Sequence, residues 1–188
     1  DTDRSRGLGD VYKRQVLKSP FLSLYSRKGF LRYRRITETI HENGALAAAQ
    51  LHMSDSQFRS LIKYLPGMIT GKIKPEEMRV LLNDTVSGYI TGLTDKKIAE
   101  ITQGFAKAAV LAKEAGFDVI QIHGDRMCGS FSSSIYNQRT DQYGGSAENR
   151  ARFACEAVAA VRKALPDMTI DYKLAVRQED PHYGNAGV

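Results

Sequence analysis

The side chains best placed to do chemistry sit where short strand-like runs stop. The stretch Val119 to Phe153 reads VIQIHGDRMCGSFSSSIYNQRTDQYGGSAENRARF. Its first five residues alternate as a strand would, with Ile120 and Ile122 on one face and Val119, Gln121 and His123 on the other. His123 therefore ends a strand and faces away from the isoleucines, the position where α/β folds keep their chemistry. A second run, Ala45 to Met53 (ALAAAQLHM), follows the helix-stop Gly44, and if extended it puts Gln50 and His52 on one face near its end. His52 reads equally well as a histidine satisfied by backbone groups. In a third run, Thr169 to Arg177, one face carries Asp171, Lys173 and Arg177. Charge on a covered strand face is costly unless an opposite charge or an anionic ligand lies near it.

Helical patterns separate these runs. Phe30 to Asn43 has an apolar stripe of Leu31, Ile36 and Ile40, with Gly44 as a left-handed stop. Asp95 to Ala115, N-capped by Thr94, has Ile98, Ile101, Phe105, Ala108, Ala109 and Ala112 at helical spacing and ends at Gly116. Ser146 caps a helix from Ala147 to Leu165, closed by Pro166, and between His123 and Ser146 the pattern reads as a long polar loop. Residues 54–92 are broken by Pro66, Gly67, Gly71, Pro75, Gly88 and Gly92, leaving one short helix, Glu76 to Leu82. The order of elements implies parallel strands with right-handed crossovers, in a doubly wound sheet or a barrel. No GxGxxG follows any strand, so a dinucleotide-binding fold has no direct support. Residues 1–15 lack apolar periodicity and are set aside as an appendage, leaving residues 16–188 as part of one domain.

Composition narrows the function classes. With 42% hydrophobic and 26% charged residues in 188, the chain has an ordinary globular balance and enough length for a core. No apolar run approaches the roughly 20 residues a membrane span needs, and the N-terminus lacks the apolar centre of a secretory signal, which predicts a cytoplasmic protein. The two cysteines, Cys128 and Cys155, have neither metal-site nor disulfide spacing. The net charge of +6, with Arg27, Lys28, Arg32, Arg34 and Arg35 set among Phe30 and Tyr33, invites a nucleic-acid reading. The apolar stripe beside those residues argues instead for the solvated face of a helix.

The segment AKEAGFDVIQIHG followed by NQRTDQYGGSAENRARF resembles the old yellow enzyme family of FMN-dependent NADH:flavin oxidoreductases, and HENGALAAAQLHM is similar to that family's preceding helix and strand. The resemblance runs from about Leu31 to Arg177. It implies a partial (β/α)8 TIM-type barrel, roughly strands 3 to 5 with their helices, holding FMN over the strand ends. It also implies reduction of FMN by NADH or NADPH and hydride transfer to an activated alkene, typically an α,β-unsaturated carbonyl. By resemblance, Gln50 contacts the flavin pyrimidine edge, and Lys173, or Arg177 if the strand slips, supplies a cation near the flavin. His123 hydrogen-bonds the substrate carbonyl, stabilising the enolate charge that develops as hydride arrives.

Three departures accompany the likeness. Arg126 stands where the family has asparagine or histidine, Cys128 replaces the usual proton-donating tyrosine, and the loop to Asn137 is two residues shorter. Arg126 can polarise a carbonyl or bind a carboxylate through its planar fork. The proton donor is Cys128, Tyr136 or solvent, with packing as the alternative role for both side chains. Arg139, Asp141, Tyr143, Glu148, Asn149, Arg150 and Arg152 read as architectural ties. A small-molecule substrate is expected, without nucleic acid or membrane, and a homo-oligomer stays open. So do an amine or steroid-like substrate and a non-catalytic interaction module. With three strands in view where a closed barrel has about eight, the 188-residue chain is expected not to catalyse alone.

Overall fold

The computed structural model describes residues 23–54, 64–174, 179–180 and 185–186. The appendage at 1–15 and Arg177 lie outside the described residues. In chain order the elements are α1 (Arg27–Glu42), β1 (Ala48–Leu51), α2 (Leu65–Ile69), α3 (Pro75–Thr91), α4 (Asp95–Glu114), β2 (Val119–His123), α5 (Arg126–Ser132), α6 (Ala147–Ala164), β3 (Thr169–Lys173), β4 (Glu179–Asp180) and β5 (Asn185–Ala186). The described residues divide into two compact units: 23–51, 96–123 and 156–173 form one, and 52–54, 64–95, 124–155, 174, 179–180 and 185–186 the other.

The first unit is built on a parallel sheet in the order β1-β2-β3. Its register sets Gln50 beside Gln121 and Gln121 beside Asp171, with His123 beside Lys173 one pleat further on. Period-two alternation sorts the faces: Ala49, Leu51, Ile120 and Ile122 are buried, while Gln50, Gln121, His123, Asp171 and Lys173 share the opposite, more open face. The buried side of α4 adds Ile98, Ile101, Phe105 and Ala109, all fully buried, to the core of this unit. Each large side chain removed from water in this way contributes roughly 1.5–3 kcal/mol.

Helix α1 starts at Ser26, whose hydroxyl accepts the Gly29 N–H at 3.0 Å, and stops at Gly44 with φ 75°. The face it buries is not the expected one. Leu31 and Ile36 are 53% and 44% exposed, whereas Gly29 and Thr37 are buried and Tyr33 meets the Phe117 ring at 6.0 Å. The inward face follows positions 29, 33 and 37, one turn apart, because a hydroxyl and not a hydrocarbon fixes the helix. Thr37 Oγ1 donates to the Ala115 carbonyl at 2.6 Å, at the end of α4. Gly116 permits this twice over: its φ of 95° disfavours a side chain, and a Cβ there would sit 2.6 Å from Thr37 Oγ1.

The second unit corrects two expectations. Helix α3 runs 17 residues rather than the short stretch Glu76 to Leu82, passing straight through Gly88. A glycine inside a helix costs only about 1 kcal/mol, and Gly88 makes no close approach that would demand it. Pro75 opens this helix, and Glu77 Oε2 accepts the Lys74 N–H at 3.0 Å. The stretch after His123 is not loop throughout, because it contains α5, N-capped by Asp125 Oδ1 accepting the Arg126 N–H at 2.8 Å. Helices α3 and α5 pack together. The core here comprises Met127, Phe131, Tyr143 and Phe153, with Phe131 stacked on Phe153 at 4.3 Å and edge-on to Tyr143 at 6.0 Å.

Candidate active site at the C-terminal end of the sheet

Three neighbouring strands place their polar side chains in one row. Gln50 Nε2 donates to Gln121 Oε1, and Gln121 Nε2 donates to Asp171 Oδ2. Beyond this row, at the C-terminal ends of β2 and β3, the adjacent His123 and Lys173 project from the same face. Sequence reasoning identified Gln50, His123 and Lys173 singly. The register shows that all three belong to one face and adds Gln121 and Asp171, which parity alone located but gave no task.

The opposite end of the sheet is fastened differently. Asp118 Oδ2 accepts the Ala47 N–H at 2.7 Å and lies 2.8 Å from His41 Nε2, while the Ala47 carbonyl accepts the N–H groups of Asp118 and Val119. The Ala47 N–H, and then His41, hold the Asp118 carboxyl below the usual carboxylate range. This end carries registration and stability, and the other end carries the polar row.

The remaining candidates belong to the second unit. Arg126 has an exposed side chain and a backbone φ of 51°, a left-handed conformation that non-glycine residues adopt rarely and that stores strain. Cys128 is fully buried on α5. Tyr136 is also buried, its hydroxyl donating to Asn83 Oδ1 at 3.1 Å. His52 is exposed, one residue past β1.

The RTDQYGG run proves architectural, as expected, although its main anchor is not the start of the following helix. Arg139, buried to 8% exposure, donates from Nη1 to the carbonyls of Ile90 at 2.8 Å, Thr91 at 3.2 Å and Leu93 at 2.7 Å. It thereby satisfies carbonyls at the C-terminus of α3, the negative end of the helix dipole. Asp141 grips the other edge of the guanidinium through both oxygens, and this pairing holds its carboxyl below the usual range. Asn137 Nδ2 bridges the carbonyls of Phe131 and Tyr143, each at 2.6 Å, and Oδ1 accepts the Arg139 N–H at 3.1 Å. Gly144 is required because a Cβ there would lie 2.0 Å from the Arg139 carbonyl oxygen. Arg150 and Arg152 complete the ties, donating to the carbonyls of Ser132 and Gln142 at 2.9 and 2.8 Å.

A family model described as NADH:flavin oxidoreductase / NADH oxidase matches residues 19–183. The chain belongs to that family. Among its relatives, the bilirubin reductase of Clostridium symbiosum is 63% identical over 166 residues, covering 88% of this chain and 44% of that protein. The cinnamate reductase of Clostridium sporogenes is 33% identical over 131 residues, 68% of this chain and 19% of that protein. The chain thus spans less than half the length of these relatives. Among solved structures, Old Yellow Enzyme from Pichia matches with a TM-score of 0.66 over 88% of this chain and 44% of its own, at 24% identity. Histamine dehydrogenase from Rhizobium matches with a TM-score of 0.61 over 85% of this chain and 23% of its own, at 26% identity. The architecture is that of a (β/α)8 barrel, of which the parallel sheet β1-β2-β3 is a part.

Proposed function

We propose that the protein containing this chain is an FMN-dependent reductase that passes hydride from NADH or NADPH to an electron-poor alkene conjugated to a carbonyl or carboxyl group. The observation that carries this reading is the placement of Gln50, His123 and Lys173 on one open face at the C-terminal end of a parallel sheet. The donor set suits a flavin: a carboxamide matches the imide edge of its pyrimidine ring, and a cation suits the negative charge that ring gathers on reduction. FMN, when bound, supplies the hydride. Gln50 and Lys173 would hold its pyrimidine side, with Arg177 as the alternative cation. His123 donates a hydrogen bond to the substrate oxygen, where charge accumulates as the alkene accepts hydride. Arg126 offers its guanidinium fork to a substrate carboxylate, supported by its exposed side chain and strained backbone. Cys128 and Tyr136 are 0% and 6% exposed, and we assign both to packing, which leaves solvent as the proton source.

The relatives named above favour conjugated acids. Cinnamate is an α,β-unsaturated carboxylate and bilirubin a tetrapyrrole with alkenes conjugated to lactam carbonyls and two carboxylates, so either offers an acceptor oxygen to the imidazole of His123. The 26% identity to histamine dehydrogenase supports a second reading, oxidation of an amine. The test is to purify the full-length protein, record its visible spectrum, reduce it anaerobically with NADH or NADPH, and add bilirubin, cinnamate or histamine. Flavin reoxidation by an unsaturated acid supports the proposal. A protein that binds no FMN, or whose flavin is reduced by histamine and reoxidised by neither alkene, overturns it.

A further inference from the structure

The row across the sheet has a polarity that chemistry dictates. An ionised carboxylate offers only acceptors, so Asp171 compels Gln121 to turn its NH₂ toward β3. The Gln121 carbonyl oxygen must then face β1, and Gln50 must answer with its own NH₂. The carboxylate fixes the amide orientation at one end, and hydrogen-bond alternation passes it along the row. We propose that Asp171 is a positioning residue, acting through Gln121 to lock the Gln50 amide so that its Oε1 and second N–H stay available to a ligand. An acceptor and a donor side by side on one rigid amide fit a ligand edge with an N–H next to a carbonyl, which is the imide edge of a flavin. The inference rests on the flavin reading given above and names what orients its first contact.

A carboxylate fits this task better than an amide would. Asparagine at 171 can present either oxygen or NH₂ to Gln121, so the row has two polarities and Gln50 presents a mixture of faces. A negative charge moved one strand inward restores the lock. Glutamate at 121 accepts from Gln50 Nε2 on one side and from an asparagine NH₂ at 171 on the other, with no net change in charge relative to the parent.

The experiment uses the full-length protein stripped of flavin and titrated with FMN and with N3-methyl-FMN, which lacks the imide proton. One lost hydrogen bond should leave the parent preferring FMN by about tenfold. In Asp171→Asn that preference should fall to about two- to threefold, and in Asp171→Asn/Gln121→Glu it should return to the parent value. Far-UV circular dichroism confirms that both variants fold. A preference unchanged in Asp171→Asn, or lost there and not restored by Gln121→Glu, overturns the relay while leaving the flavin assignment standing. A parent protein that binds neither flavin overturns the flavin assignment, and the relay with it.

Discussion

Removing the Arg139 guanidinium should loosen the second unit without touching the polar row. Arg139→Met keeps most of the side-chain volume and deletes the bonds to the carbonyls of Ile90, Thr91 and Leu93 and the fork to Asp141. The carbonyls of Ile90 and Leu93 are buried, and a buried carbonyl left without a donor costs roughly 1–3 kcal/mol. Thr91 is exposed and can turn to water. The Asp141 side chain, 41% exposed, is readily rehydrated and adds little. Sparing the desolvation of the guanidinium offsets part of the loss. The net is about 2–4 kcal/mol, which at about 1.4 kcal/mol per decade means local opening becomes roughly thirty- to seven-hundredfold more frequent. Hydrogen–deuterium exchange read at residues 88–93 and 137–145 measures this directly, since exchange of protected amides reports local opening free energy. Arg139→Lys should fall between the two, because an ammonium reaches one or two carbonyls and cannot make the paired contact with Asp141. Exchange in Arg139→Met within about threefold of the parent, well below the span just derived, would refute the idea that these carbonyls depend on Arg139.

Four further outcomes are expected. His123→Ala should lower alkene reduction about tenfold or more, as for loss of one donor aimed at developing charge, while FMN remains bound; turnover at the parent rate would remove His123 from the mechanism. Lys173→Met should weaken FMN binding or lower the flavin reduction potential, and if neither moves, the cationic role passes to Arg177. Because Asp118 and Asp141 are held below the usual carboxylate range, their stabilisation is complete above that range and is lost as pH falls through their folded-state values. Denaturant midpoints measured from about pH 6 down to pH 3 should fall, and Asp118→Asn should flatten that slope by removing one titrating group while retaining an acceptor for the Ala47 N–H. Gly116→Ala should destabilise by about 1 kcal/mol or more, from its φ of 95° and the contact with Thr37, as read by thermal melts.

What could be read from the sequence follows from how locally each feature is encoded. The span of β2 was legible to the residue, because five alternating positions between a glycine-terminated helix and a polar run leave one solution. Helices α4 and α6 were legible to within about one residue, since their caps and apolar spacing are local. Helix α3 was not, because Gly88 and Gly92 looked like breaks while the cohesion comes from Ile90 and from Arg139, far along the chain. The burial of α1 was misjudged for a similar reason: Thr37 is held by the carbonyl of Ala115, and no periodicity reports a partner that distant. Within the candidate site, side-chain parity located Gln50, His123 and Lys173. The link among Gln50, Gln121 and Asp171 required the register between strands, which sequence spacing within one strand does not contain.

The partners Arg139 takes on α3 have a further consequence for how this protein tolerates change. Among the described residues its guanidinium binds the main-chain oxygens of Ile90 and Thr91 at the end of that helix and of Leu93 just past it, with the exposed Asp95 carboxylate 3.9 Å away. Every amino acid supplies a carbonyl, so the segment that receives the arginine is free to vary in sequence as long as its helical path is kept, whereas the arginine has no substitute. Tolerance should therefore be lopsided: saturation mutagenesis should find position 91 permissive to most replacements that keep the backbone in place, and position 139 closed to nearly all. That asymmetry makes the RTDQYGG run a dependable mark of the scaffold and a silent one about the molecule the scaffold acts upon.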